Sequence, residues 1–233
     1  MNKLKNLSEI LRRNAAVFGP VLAADLSGAA VCRLDFTAAN TYLQGIDLRH
    51  TPHFNEAVDH MLQQQQASIG VGGYLEDRFI YRRSQHFDVA AESRSLHLGV
   101  DVWIAAGTPV LAPLDGVVHS FRDNNNFGDY GPTIILAHEL EEVTFYTLYG
   151  HLSRTSVTGM AAGKQILKGE AFATVGPYPE NGDWPPHLHF QVMADMQGKS
   201  GDFPGVATTS ERAIYEELCP NPNLILKCPH LPL

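Results

Sequence analysis

Two histidines stand two positions apart just after a pair of prolines, in the segment WPPHLHFQV at residues 184–192. The end of this segment predicts a strand, and the side chains of a strand alternate between its faces. His187 and His189 then share a face with Gln191, with their backbones about 6–7 Å apart, and the opposite apolar face packs in a core. Two imidazoles on one strand face favour a metal site, with a surface or hydrogen-bonded structural role as the alternative.

A second pair of chemically capable side chains lies in the segment HLGVDVWI, residues 97–104. His97 and Asp101 would be about 13 Å apart in an ideal strand. That is too far to share one zinc ion, whose bonds to nitrogen or oxygen are about 2.0–2.2 Å long. Gly99 lies midway, where a bend or bulge costs least. The alternative is a surface histidine and an unrelated aspartate in a turn.

A third candidate, His151, follows Gly150 at the end of the apolar segment YTLYG. A catalytic zinc site needs three protein ligands from histidine and carboxylate and one open position. It also needs groups that exchange a proton with water or stabilise an oxyanion. Five side chains satisfy both needs, with two imidazoles to spare: His97, Asp101, His151, His187 and His189.

The order HxxxD, Tyr-x-His-Leu and Pro-His-Leu-His-Phe resembles the lysostaphin or LytM-type zinc metallopeptidases over roughly residues 95–194. The resemblance implies an antiparallel β-sheet protein with zinc in a groove, and a peptide substrate. It implies that His97, Asp101 and His189 bind the zinc. By the same resemblance His187 is the general base on the catalytic water, and His151 helps to stabilise the oxyanion.

Several segments more closely resemble a metallopeptidase-like part of large fusion proteins that also carry a kinase and a class III aminotransferase. Examples are GGYLEDRFIYR, NGDWPPHLHFQ and CPNPNLIL. This resemblance implies a cytoplasmic setting. An exported or periplasmic location is the alternative, because lysines, an Arg-Arg pair and a short apolar stretch at the N-terminus faintly imitate a signal peptide.

The expected function is a zinc-dependent, metalloendopeptidase-like hydrolase acting on a peptide or related amide, with peptidoglycan as an uncertain substrate. The alternative is a zinc-holding, non-hydrolytic binding or scaffold module beside a separate kinase or aminotransferase. Two departures from the resembled family motivate that alternative. Pro185 and Pro186 stiffen the approach to the histidine strand, where Trp184 could wall the groove, and Gln191 replaces the usual glutamate.

Several other residues have two interpretations. Three arginines, Arg78, Arg82 and Arg83, either line the groove and bind a carboxylate or belong to a solvated strand face, which is favoured. Tyr149 either faces the groove or packs in the core. The remaining histidines lack ligand spacing and are expected to be structural or at the surface.

The elements that must position these residues suggest a mainly β fold. We expect an N-terminal extension with helices and a strand at 1–73, an antiparallel β core at 74–196 and a C-terminal wrap with a helix at 197–233. Three helices are predicted, at 1–18, at 51–66 with Thr51 as N-cap, and near 209–220 with Thr209 or Ser210 as cap. The extension also contains a predicted strand at 30–36, and GVGG at 70–73 is expected to end its helical part.

Composition excludes several classes of function. The net charge is −8 without any cluster of lysine and arginine, which argues against nucleic acid or an anionic membrane as partner. No segment reaches the ~20 apolar residues needed to span a bilayer. The three cysteines form no CxxC pair, so neither a disulfide framework nor a thiolate zinc site is expected. The sequence does not indicate an oligomeric state.

Overall fold

The computed structural model describes residues 3–83 and 94–233 of the protein. Twelve strands are found within these ranges. They are β1 (Val31–Arg33), β2 (Ile69–Gly72), β3 (Leu96–His97), β4 (Val100–Trp103), β5 (Pro109–Leu111), β6 (Gly116–Asn124), β7 (Gly131–Leu140), β8 (Val143–Gly150), β9 (Gln165–Ile166), β10 (Ala171–Thr174), β11 (His187–Met193) and β12 (Val206–Ala207).

Eight of these strands form one large sheet in the order β1-β2-β4-β11-β8-β7-β6-β9. β1 and β2 are parallel, and every other neighbouring pair in this sheet is antiparallel. Two small antiparallel sheets, β5 with β10 and β3 with β12, flank it. The prediction of a mainly β, antiparallel core is therefore confirmed.

The N-terminal residues contribute two strands to the large sheet. The predicted strand at 30–36 is present as β1, but the segment GVGG does not end a helical part as expected. It lies in and just after β2, which pairs with both β1 and β4. The glycines permit close packing there, because a Cβ at Gly70 would overlap the side chain of Leu34. The domain boundaries at 73 and 196 stay a prediction.

Six α-helices are described outside the sheets. They are α1 (Lys3–Arg13), α2 (Thr41–Gln44), α3 (Thr51–Gln64), α4 (Arg154–Val157), α5 (Arg212–Leu218) and α6 (Asn223–Leu226). The first helix is shorter than predicted and is followed by a single 3-10 turn at Ala15–Val17. None of the described helices is long and apolar enough to cross a membrane.

Both predicted helix caps are wrong by one or two residues. His50 is the N-cap of α3, and the Thr51 hydroxyl instead donates a hydrogen bond to the backbone oxygen of Asp183 at 2.8 Å. A long-range partner has therefore replaced the local cap. Near the C-terminus, Thr208 caps a 3-10 turn in a capping box with Glu211, and α5 follows that turn.

The large sheet is covered on both faces. Leu188, Phe190 and Val192 of β11 lie in the main apolar core, as predicted, together with residues of α1 and α6. The opposite face is covered by a second apolar cluster that includes Phe54 of α3 and Trp103 of β4. Because of this cover, the histidine face of β11 is buried rather than open to solvent. The three cysteines are free and buried.

Candidate metal centre

Three of the predicted site residues come together at one point of the large sheet. His97 ends β3, Asp101 lies in β4, and His189 lies directly opposite Asp101 in β11. The Oδ1 atom of Asp101 is 3.3 Å from Nε2 of His97 and 3.0 Å from Nδ1 of His189. The two imidazole nitrogens are themselves 3.1 Å apart. Thus three potential ligand atoms converge.

Gly99 explains how His97 and Asp101 approach each other. The chain leaves β3 at His97 and begins β4 at Val100, so the straight strand that would separate them is interrupted. A Cβ at Gly99 would lie 2.5 Å from Cε1 and 2.7 Å from Nε2 of the His189 ring. Glycine therefore permits both the bend and the close packing of His189 against it.

Hydrogen bonds on the far side of each ring are consistent with tautomers that leave the Asp101-facing nitrogens available to a metal. Nδ1 of His97 lies 3.0 Å from the backbone oxygen of Gly73, and Nε2 of His189 lies 2.9 Å from Oε1 of Gln191. The Gln191 amide nitrogen donates to the backbone oxygen of Pro204, so its oxygen accepts. In the tautomers that satisfy these two bonds, each imidazole donates away from Asp101, so that Nε2 of His97 and Nδ1 of His189 can serve as metal ligands.

The three converging atoms fit a metal cation. Imidazole nitrogens and a carboxylate oxygen are ligand atoms that zinc takes in proteins. His97, Asp101 and His189 form a group whose ligand atoms all lie within 4.8 Å of one another. In a tetrahedral site with bonds of 2.0–2.1 Å, ligand atoms are about 3.3 Å apart, close to the distances found here.

His187 and His151 lie beside the three residues. His187 stacks on Trp103 with ring centroids 4.1 Å apart, and its Nε2 is 3.9 Å from Oδ2 of Asp101. The His151 ring lies 4.2 Å from the His187 ring. Nδ1 of His187 donates to the backbone oxygen of Pro185, and Nδ1 of His151 donates to that of Asn181, both at 2.8 Å.

Burial keeps these imidazoles neutral. It lowers the pKa of His187 to about 4 and that of His97 to about 4, and it holds the pKa of His151 well below its ordinary value. His151 also has a left-handed backbone with φ of 59°, which is uncommon for a residue other than glycine. Such conformations cluster at functional sites. The turn at the end of β8 thus aims the ring inward.

A buried ion cluster supports Asp101. The guanidinium of Arg78 bonds to Oδ2 of Asp101 through Nη1 and to Oε2 of Glu76 through Nε, the latter at 3.0 Å. Nη1 also lies 3.3 Å from the hydroxyl of Tyr81. Although burial alone would raise it, the neighbouring His97 and Arg78 hold the pKa of Asp101 well below its ordinary value.

A cavity of about 280 Å³ lies over this cluster. Its lining includes four of the predicted site residues, and its aromatic walls include Trp184, Tyr81 and Tyr130. The role of Trp184 as a wall is therefore confirmed. The five predicted site residues are at most 5% exposed, because the C-terminal residues around Pro204 also cover the site.

The secondary candidates have mixed outcomes. Arg78 lines the cavity, but its guanidinium is paired with acidic side chains; the side chains of Arg82 and Arg83 lie outside the described residues. Tyr149 packs fully buried in the core, against Phe172 and Phe190.

Of the remaining histidines, all but His86 belong to the described residues. His138 is buried away from the site and bonds to the backbone of Asp115 and to Thr147. The sequence segment around His86 lies outside the described residues.

Sequence reasoning missed the residues that orient the site from a distance. Asn181 is fully buried. Its backbone oxygen accepts a hydrogen bond from His151, and its side chain forms hydrogen bonds with the backbone of Trp184. Gln191 was noted only as a departure, yet its side-chain oxygen lies 2.9 Å from Nε2 of His189. The run of charged residues Glu76, Asp77 and Arg78 was the available signal for the ion cluster.

Comparison with known proteins finds a family match over the part of the chain that contains the site. Residues 95–202 match the model of Peptidase family M23. An uncharacterized metalloprotease of Haemophilus influenzae is 37% identical over 95 residues, which are 41% of this chain and 18% of that protein. The chain therefore spans about a fifth of the length of this curated relative.

Solved structures also align with part of the chain. A zinc-containing peptidase from Vibrio cholerae is 28% identical over 42% of this chain and 27% of its own, with a TM-score of 0.35. The catalytic domain of lysostaphin from Staphylococcus simulans is 22% identical over 52% of this chain and 80% of its own, with a TM-score of 0.36.

The family match begins two residues before His97 and ends beyond His189, so it includes all five predicted site residues. The sequence matches support an enzyme of the hydrolase class, a peptidase. Residues 95–202 are therefore similar to Peptidase family M23.

Proposed function

We propose that the protein is a zinc-dependent hydrolase that cleaves a peptide or related amide bond with an activated water. In this proposal His97, Asp101 and His189 bind the metal. The observation that carries it is the convergence of two imidazole nitrogens and one carboxylate oxygen at 3.0–3.3 Å. The match to a peptidase family supports the same reaction class.

The donor set suits zinc in particular. Two imidazoles and one carboxylate are a common protein ligand set of catalytic zinc, and each His has a second hydrogen bond that orients its ring. When bound, zinc supplies Lewis acidity, which lowers the pKa of water and polarises a carbonyl group.

His187 is the better placed of the two remaining imidazoles to act as general base. Its Nδ1 donates to Pro185, so its Nε2 is free to accept a proton beside Asp101. Burial keeps it neutral above about pH 4, so the base form predominates at neutral pH. It would take a proton from water and return it to the leaving amine.

His151 is proposed to stabilise the developing oxyanion, with one condition that the structure adds. Because Nδ1 of the neutral ring already donates to Asn181, Nε2 has no proton to offer. His151 can donate a hydrogen bond from Nε2 only after it has taken up a proton, and its ring lies 4.2 Å from that of His187. The proton that His187 takes from water would meet this condition if it were shared with His151 and then returned through His187 to the leaving amine, so that no further proton is needed.

The substrate is proposed to be a peptide or amide small enough to reach a cavity of about 280 Å³, which is near the lower end of small-molecule sites. A cytoplasmic setting and an association with kinase and aminotransferase activities stay predictions from the sequence.

Metal content tests the first part of the proposal. The purified protein is expected to contain about one zinc per chain by atomic emission, and chelator is expected to lower its thermal unfolding temperature. A protein that takes up no zinc and keeps its unfolding temperature in chelator contradicts the proposed centre.

Hydrolysis tests the second part. His187→Ala is expected to keep its zinc and to lower the rate of cleavage of a peptide library about 10²–10⁴-fold, because the general base is lost. His53→Ala, an exposed histidine on α3, is the control and is expected to leave both unchanged.

Two outcomes would contradict the hydrolytic role. One is an undiminished rate in His187→Ala. The other is a wild-type protein with zinc but without turnover on any peptide or amide offered, which would favour the non-hydrolytic binding module instead.

A further inference from the structure

We propose that Arg78 is a positioning residue for the metal centre, which orients the Asp101 carboxylate so that one oxygen faces the two imidazoles. The inference rests on the proposed zinc site. Arg78 acts on the metal centre only through its bond to Asp101. Glu76 in turn holds Arg78 in place.

The contacts of Arg78 divide the two oxygens of Asp101 between different partners. Nη1 of Arg78 bonds to Oδ2, whereas Oδ1 lies 3.0–3.3 Å from the imidazole nitrogens of His97 and His189. The bond to Oδ2 is charge-assisted, which makes it about twice as strong as a neutral hydrogen bond. Rotation of the carboxylate would break it, so Oδ1 stays directed at the histidines.

The side chain of Arg78 is itself fixed in place. It is fully buried, with Nε bonded to Glu76 at 3.0 Å and Nη1 within 3.3 Å of the Tyr81 hydroxyl. The guanidinium carbon lies 5.4 Å from the centre of the Phe36 ring and 5.8 Å from that of Tyr81, within the range of cation–π attraction. Little freedom remains for it to leave Asp101.

Arg78 also solves an electrostatic problem of the metal-free site. A buried carboxylate is costly unless a cation compensates it. Arg78 supplies that cation at Oδ2 and is itself held by Glu76, so the carboxylate is already oriented before a metal arrives. Preorganisation of this kind lowers the cost of binding.

These supports come from residues outside the family domain. The segment at 73–81 supplies Arg78 and Glu76 to Asp101, and the backbone oxygen of Gly73 to His97. It is joined to the domain by backbone hydrogen bonds, from His97 to Glu76 at 3.0 Å and from Arg78 to Ser95 at 2.9 Å. The M23 match begins only at residue 95. The chain thus orients two proposed ligands with residues that precede its peptidase domain.

The test measures metal affinity rather than hydrolysis. Arg78→Met keeps the length and apolar stem of the side chain but removes its charge and donors. Zn²⁺ affinity, measured on the full chain by competition with a chromophoric chelator, is expected to fall about 10–100-fold, as for other residues that orient metal ligands. The visible spectrum of the Co²⁺-loaded variant is expected to change, because the geometry of the carboxylate ligand changes.

Two further variants separate positioning from mere packing. Arg78→Lys retains a charge beside Asp101 and is expected to recover at least part of the lost affinity. Arg33→Met is the matched control, because Arg33 approaches the same Glu76 at 3.7 Å but is half exposed and makes no contact with Asp101. It is expected to change Zn²⁺ affinity less than twofold.

Each outcome of these affinity measurements supports or overturns the proposal. Unchanged or tighter Zn²⁺ binding by a folded Arg78→Met overturns the proposal, as does an equal loss in Arg33→Met. If Arg78→Met does not fold by circular dichroism, Glu76→Gln decides. That variant removes the charged anchor of Arg78 without touching Asp101, and a loss of affinity of threefold or more supports positioning, whereas a smaller change overturns it. A wild-type chain that binds no zinc contradicts the proposed function instead, so the two failures are distinguishable.

Discussion

At the scale of single residues, the site depends on the orientation of two imidazole rings and on a glycine that leaves room for one of them. Gly73 and Gln191 offer acceptors to the far sides of the His97 and His189 rings, which leaves their other nitrogens available to a metal. Gly99 leaves room for the His189 ring because it has no side chain. The proposed metal centre therefore depends on these three residues as well as on the proposed ligands.

Gly99→Ala tests this close packing. The added Cβ would lie 2.5–2.9 Å from the His189 ring and the backbone oxygen of Phe190, so the ring must move away from Asp101. We expect Zn²⁺ affinity to fall about tenfold or more and the free energy of unfolding to fall by about 1–3 kcal/mol. Chelator competition and urea unfolding measure the two quantities.

Gly45→Ala is the matched control for that substitution. Gly45 is exposed, and the nearest atom to a Cβ there would be 3.9 Å away. The Zn²⁺ affinity and the free energy of unfolding of Gly45→Ala are expected to match those of the wild type. If the two variants behave alike, steric contact with His189 is not what demands glycine at position 99.

At the scale of elements, neighbouring strands bring the ligands together and one loop closes the site. β4 and β11 pair so that Asp101 lies opposite His189, whereas β8 ends beside them and delivers His151. The loop before β11 is fixed by Asn181, whose side chain bonds the backbone of Gly176 and of Trp184. The double proline that follows is thus one part of a loop that is already hydrogen-bonded internally.

Asn181→Ala tests the role of that loop. The substitution removes three hydrogen bonds from a fully buried side chain and leaves buried backbone groups without partners. We expect the free energy of unfolding, measured with urea, to fall by about 2–4 kcal/mol. Zn²⁺ affinity is expected to change much less, because none of the three proposed ligands bonds to Asn181.

An exposed asparagine supplies the comparison. Asn126 makes one side-chain bond, to Asp129, and Asn126→Ala is expected to cost less than about 0.5 kcal/mol. A loss of Zn²⁺ affinity in Asn181→Ala as large as in a ligand substitution would show that the loop orients the ligands, contrary to expectation.

At the scale of the whole molecule, folding buries several neutral imidazoles under the N-terminal and C-terminal residues. In the unfolded chain the same side chains titrate near their ordinary pKa of about 6.5. Between that value and the folded pKa of about 4, the unfolded state of the metal-free protein binds more protons than the folded state. Stability is therefore expected to fall as the pH falls through this range.

The contribution of one imidazole can be isolated by comparing two variants. Each buried histidine adds at most about 1.4 kcal/mol per pH unit to the slope of unfolding free energy against pH. His187→Gln is expected to flatten the slope of the metal-free protein between pH 6 and 4.5 by nearly that amount. His60→Gln, at an exposed position, is expected to leave it unchanged. Equal slopes in wild type and His187→Gln would refute the burial-driven shift at His187.

The sequence alone determined the local features of this protein. Strand alternation separated the histidine face of β11 from its core face, the glycine between His97 and Asp101 marked a bend, and composition indicated a β core. These follow from the covalent geometry of a few consecutive residues. The ordered motifs also led to the peptidase family that the comparison found for residues 95–202.

Only the tertiary structure decided what surrounds those residues. The GVGG segment is part of the large sheet, Thr51 bonds across 132 positions instead of capping its helix, and Arg78 bonds to Asp101 across 23. Such choices depend on which distant groups meet in the folded chain, and burial then sets their charge. Local periodicity carries no information about either. The candidate ligands were therefore readable from the sequence and stay a proposal, whereas their contacts and supporting charges required the fold.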